Sequence, residues 1–147
     1  MPYQDYRPID ITITPSDAAY TANDVVGGLL TLPMNTGHGK LHGVSVAVGE
    51  ASIAVPATIW LYSAEPTTIA DNAAFAPVHA DNKKLLGKML LPTADALNSF
   101  NVYNLTLSVP IPFWTGVVYA YMVTTGTPNF TGAAQEIGLR FYVTSEV

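Results

Sequence analysis

A chain of 147 residues is the size of one domain and long enough to bury a real core. Hydrophobic residues make up 49% and charged residues 12%, against a usual charged share of about 25%; with a mean hydropathy of +0.27, the surface is expected either to be covered by other chains or to be polar but uncharged, rich in Thr, Asn and Ser. The net charge of −5 opposes nucleic-acid binding, which needs clustered Lys and Arg, and the absence of Cys excludes disulfides, a thiolate nucleophile and zinc–thiolate sites.

Residues 1–8 read as an extended arm ahead of a single domain, 9–147. The arm lacks a basic segment followed by an apolar core, so no signal peptide is expected. No apolar run approaches the roughly 18 residues of a membrane-spanning helix, and the protein is expected to work in solution. Pro2 and Pro8 bracket Tyr3 and Tyr6, which dock on this domain or on a neighbour.

Strand signals follow. Ile9, Ile11 and Ile13 alternate with Asp10, Thr12 and Thr14, a period of two that puts the isoleucines on one face. Pro15-Ser16-Asp17 supplies turn chemistry. Residues 24–32 form the next strand, interrupted at Gly27-Gly28 by a bulge or close backbone approach. After a loop over 33–39, Val44, Val46 and Val48 alternate with Ser45 and Ala47. Residues 57–62 are apolar on both faces, Ile59 and Leu61 on one and Trp60 and Tyr62 on the other, so this strand is central and covered twice, by the chain or by a partner. Trp60 is expected in the core.

A polar excursion then runs from Glu65 through Asp71-Asn72 and Phe75 to Asp81, closing into a strand over 85–91. Its one helical candidate lies near 79–86, with Asp81 as a cap. Tyr103, Leu105, Leu107 and Val109 alternate with polar residues until Pro110 and Pro112 break the ladder. Phe113-Trp114 then stands in a loop, as a lid over one end of the domain or as an interface anchor, with the lid preferred. Residues 117–123 are again apolar on both faces, and Ile137, Leu139, Phe141 and Val143 alternate to the end. About eight strands separated by Gly/Pro turns imply an all-β fold: a single antiparallel β-sandwich, jelly-roll-like, with an immunoglobulin-like sandwich as the alternative, although the Cys-Trp-Cys signature is missing.

Catalytic patterns are sought and not found. Gly37-His38-Gly39-Lys40 has the wrong spacing for a phosphate loop, lacks a Ser or Thr after Lys40, and leads into a strand. His38 and His42 are four apart, a zinc spacing only on a helix, and no third ligand is near. There is no nucleophile elbow and no calcium loop. A carboxylate pair from Asp71 and Asp81 would suit sugar cleavage, but a chain this short has little room for the cleft. Turn chemistry, with side chains bonding to amides two residues on, is the preferred account of Asp71-Asn72. No enzyme, cofactor or metal is expected.

Two stretches carry a resemblance: Tyr20-Thr21-Ala22-Asn23-Asp24-Val25-Val26-Gly27-Gly28-Leu29-Leu30-Thr31, and Pro66-Thr67-Thr68-Ile69-Ala70-Asp71-Asn72-Ala73-Ala74-Phe75-Ala76-Pro77 continuing to Leu85-Leu86-Gly87. Together they resemble a group of small tailed-bacteriophage structural proteins over roughly residues 20–91. One departure is Val78-His79-Ala80, where the group has a more acidic or serine-like stretch. The resemblance implies a virion component: a capsid decoration (cement) protein on the outside of the shell built by the major capsid protein, assembled in the host cytoplasm. A homo-oligomer, trimer or dimer, is expected with it, since several contacts on one symmetry axis add avidity. A tail or baseplate accessory protein is the alternative, and a carbohydrate-binding sandwich a further one. Interface residues expected on these grounds are Tyr3, Tyr6, Phe75, Phe113 and Trp114, with the crossover itself as a contact surface.

Overall fold

In the computed structural model, which describes residues 5–49, 53–97, 100–132 and 136–146, period-two patterning becomes nine strands. They are β1 (Asp5–Ile13), β2 (Val25–Pro33), β3 (Gly39–Val48), β4 (Ala57–Tyr62), β5 (Leu85–Leu90), β6 (Asp95–Leu97), β7 (Phe100–Phe113), β8 (Val117–Thr124) and β9 (Ile137–Ser145). The only helical element among the described residues is a 3₁₀ turn, His79–Lys84.

Two antiparallel sheets face each other, ordered β1-β9-β3-β7-β6 and β2-β8-β4-β5. Leaving aside three-residue β6, the pairings nest: β1 with β9, β2 with β8, β3 with β7, β4 with β5. This is one long antiparallel ribbon rolled over itself, so that β9 also meets β3 and β8 also meets β4. Eight strands in this order are a jelly roll. The immunoglobulin-like alternative falls, because its sheets do not join the first strand to the last in this nested way.

The core lies between the sheets. Ile9, Ile13, Val44, Val46, Leu139 and Phe141 project from one inner face and Leu30, Leu32, Ile59, Leu61, Ala120 and Met122 from the other, all buried. The glycine pair in β2 does form a bulge, with register lost between Val26 and Leu30. Gly27 and Gly28 have φ of +83° and +70°. A Cβ on Gly27 would strike Ile13 Cγ2, so the missing side chain lets β1 close against β2.

Two expectations need correction. β1 begins at Asp5, so Tyr6, Arg7 and Pro8 belong to a ladder opposite Thr144, Val143 and Tyr142 rather than to an arm. Pro110 and Pro112 do not end β7: the strand runs on to Phe113, with a register shift opposite Leu41 and Gly43. Proline is tolerated at an edge, where its missing N–H faces no partner strand. The short strand β6 is an addition, as a hairpin partner for residues 100–102.

Candidate interaction surface

The outer face of the β2-β8-β4-β5 sheet carries a second apolar cluster, with Val25, Tyr62, Tyr121 and Val123 buried there. What covers it is the chain's own excursion, residues 63–84, crossing as a belt from β4 over β8 to the free edge of β2 and back into β5. Ser63 N–H donates to the Lys84 carbonyl (2.7 Å), fixing the belt's two ends together. Midway, Tyr121 OH donates to the Thr67 carbonyl (2.7 Å) and accepts from Ile69 N–H (3.0 Å). Phe75 lies 5.5 Å from the Trp60 ring and 5.8 Å from Tyr121. Trp60 is therefore half-buried beneath the belt, outside the core in which it was expected.

At the far edge the belt pairs with the start of β2. Val25 N–H donates to the Ala73 carbonyl, Asn72 N–H to that of Val25 and Phe75 N–H to that of Asn23, each at 2.8 Å. Asn72 turns the chain there with φ of 56°. Asp71 does more than serve a local turn: its carboxylate accepts from Gly27 N–H (2.6 Å), Tyr20 OH (2.8 and 2.9 Å) and Ser16 N–H (3.1 Å). One carboxylate thus ties the belt, the β1–β2 connection and the bulge together. The two stretches that carry the resemblance form a single unit held at this point.

Asp81 does not cap the 3₁₀ turn, whose cap position is Val78 without a side-chain bond. It is buried and accepts from Thr67 N–H (3.0 Å) and Lys84 Nζ (3.1 Å). Burial pushes its carboxyl upward, but the Thr67 amide and the Lys84 ammonium outweigh that and hold it below its ordinary value. The Tyr62 hydroxyl is pushed up to about 12, first by burial and then by the charges of Asp81 and Tyr121. Both aspartates in the belt are thus engaged in holding it down. Among the described residues no group of three His, Asp or Glu side chains is placed to hold a metal ion. His42 Nε2 instead shares a hydrogen bond with Thr144 Oγ1 (2.7 Å).

The two flanks of the sandwich differ. On the β1/β2 side, Ile13 fills the space over Gly27 and the belt covers the edge of β2. On the other side β5 and β7 approach, with Ile111 Cδ1 3.2 Å from where a Cβ of Gly87 would stand, and among the described residues no strand lies beyond β5 or beyond β7 past its three-residue pairing with β6. Core-facing Leu86, Leu105, Leu107 and Ile111 are only partly buried there. Five of the seven large apolar side chains exposed among the described residues lie on β5, β6 and β7, namely Leu85, Leu90, Leu97, Phe100 and Val109. Leu90 is 63% exposed and Val109 77%. Scattered single exposures are ordinary, but five on three adjoining strands make a patch.

The same flank carries uncompensated lysines, with the exposed Asp95 on β6. Lys40 pairs with Glu146, Arg140 with Asp10 and Lys84 with Asp81. Lys83 and Lys88 have no such carboxylate among the described residues, and Lys88 lies 5.4 Å over the Trp60 ring.

Of the residues expected at an interface, Phe75 is turned inward in the belt, and Phe113 is buried in the core at 2% exposure. Trp114, its neighbour, is 60% exposed on the turn into β8, so the lid and the exposed ring are two different residues. Tyr6 belongs to β1, and Tyr3 lies outside the described residues. Val109 was missed because an edge exposes what period-two patterning assigns to a covered face, and Leu90 because residues 85–91 show no alternation that marks a face. No family model matches the chain, and no curated protein matches it.

Proposed function

We propose that the protein is a non-enzymatic virion component, a capsid decoration (cement) protein that binds the outer surface of the major capsid protein's shell and stabilises it. It acts there as a homo-oligomer, trimer or dimer, after assembly in the host cytoplasm. The observation that carries this reading is the open flank: a chain with few charges closes one side of its sandwich and leaves leucines, a valine and a phenylalanine exposed along the other. A protein that bridges subunits needs apolar area that is solvated when free and buried on assembly. Each Å² so buried contributes about 25 cal/mol, a term that accumulates over many copies on one particle. The belt suits the same task, since it holds the opposite face rigid without a partner.

Quantitative mass spectrometry of purified virions tests the proposal. A copy number comparable to that of the major capsid protein is expected, with the protein on the outer surface in a reconstruction of the particle. A handful of copies, or a position on the tail, would replace this reading with the accessory-protein one. Sugar-dependent binding on a glycan array, with no attachment to shells, would favour the carbohydrate-binding alternative.

A further inference from the structure

The open flank presents an unpaired strand edge, exposed leucines and uncompensated lysines in one place. β4 takes one side of β5 and no strand among the described residues takes the other, so part of the backbone N–H and C=O groups of β5 point away from the sheet. Lysines commonly guard such edges against other strands. Here the guard has a single sign, with Lys83 at the entry to β5 and Lys88 within it. Two-fold pairing of β5 with β5 of a second copy would set these lysines near their counterparts, and like charges placed opposite each other destabilise a ladder. A strand bearing carboxylates has the reverse energetics.

The register refines the match. Lys88 stands opposite Trp60 and Leu90 opposite Thr58, both on the outer face of the sheet. An added strand repeats its side chains every second residue on that face. It would therefore set a carboxylate beside Lys88 and an apolar residue beside Leu90, backbone bonds supplying affinity and side chains the selectivity. We infer that the free edge of β5 takes an extended acidic segment of a partner protein, added as a strand, with carboxylates against Lys83 and Lys88 and apolar side chains against Leu90. The inference rests on the flank being the docking surface of the proposed virion role, but it is testable without virions.

The test is an NMR titration of the isotope-labelled full chain with two short synthetic peptides, one with glutamate and valine taking turns at every second position and threonine between them, so that one face carries both, and one with lysine in place of each glutamate. The glutamate peptide is expected to shift the amides of residues 85–90, and the lysine peptide to leave them unmoved. The double variant Lys83→Glu/Lys88→Glu should weaken the glutamate peptide by about tenfold, and added salt should erode the preference. Unshifted amides on β5, equal response to both peptides, or shifts confined to another edge would overturn the inference. Lys83→Gln/Lys88→Gln, which removes the charge but keeps a polar side chain, should fall between wild type and the reversed variant; if it aggregates while wild type ignores the peptide, the lysines are guards and nothing more, and the inference falls. Attachment to shells that lack the protein separates the two ideas. Equal attachment of wild type and the reversed variant keeps the virion role and removes the acidic-strand docking; peptide binding without shell attachment does the opposite.

Discussion

Asp71→Ala is the sharpest test of the belt. The substitution removes the acceptor for Gly27 N–H, Tyr20 OH and Ser16 N–H at 2.6, 2.8 and 3.1 Å. Bonds to an ionised acceptor contribute about 1.5–3 kcal/mol each when fully enclosed. Ser16 and Gly27 are only partly buried, so water replaces some of what is lost, and the Tyr20 hydroxyl keeps Ser16 Oγ at 2.9 Å. The net cost is then about 3 kcal/mol, roughly 9 °C in melting temperature for a chain of this size. Urea unfolding near neutral pH measures it, and hydrogen exchange locates it. Amides of residues 23–27 and 72–75 should lose protection first, while those of β3 and β9 stay protected. A cycle with Tyr20→Phe should show coupling of about 1 kcal/mol or more, as groups sharing one carboxylate are not additive. A cost under about 1 kcal/mol with wild-type protection at residues 23–27 would refute the clamp, because a solvated surface carboxylate behaves that way.

Acid should loosen the belt through Asp81. Its folded carboxyl is held below the ordinary value, so its contribution is fully present above the unfolded value of about 3.9 and is lost as the pH falls through the lower folded value. Trp60 fluorescence in a Trp114→Phe background should report this transition, and Asp81→Asn should remove its pH dependence. Phe113→Ala should cost about 3–5 kcal/mol as a buried ring is deleted, whereas Trp114→Ala should cost under about 1 kcal/mol, both read from urea midpoints. Gly27→Ala forces a Cβ onto Ile13 at positive φ, and about 3 kcal/mol of destabilisation is expected by the same measurement. Leu90→Ser with Val109→Ser should change stability by less than about 1 kcal/mol yet abolish shell attachment in a sedimentation assay; undiminished attachment would detach the open flank from the proposed role.

Strands were legible because each is read from its own residues. Ile9, Ile11 and Ile13, or Val44, Val46 and Val48, give face and period without reference to the rest of the chain, and the runs at 57–62 and 117–123 show in sequence that both their faces are apolar. What covered them was not legible. Phe75 meets Trp60 and Asp71 meets Gly27 across long stretches of chain, and no local pattern encodes such a pairing. Asp71-Asn72 carried a true turn signal in Asn72, and that signal concealed the long-range acceptor beside it. Phe113 and Trp114 looked alike in sequence because burial there depends on which of two neighbours points between the sheets. Lys83 and Lys88 carry no local signal; only strand order shows that they stand at an edge.

The nested pairing also sets when the molecule can become whole. β9 lies between β1 and β3, and β8 between β2 and β4, so each sheet has a gap in its middle until a late strand is synthesised. An emerging chain holds β1 through β5 with each of β1 to β4 missing at least one neighbour, the condition in which strands recruit wrong neighbours. Closure then comes late and from a distance, and contacts of that kind make folding slow. A ribosome that stalls before β9 releases a product that is missing the central stave of a barrel rather than its rim. Such fragments should be captured by chaperones or by one another, and expression yield should depend on translation through the last strand more than on any residue in the core.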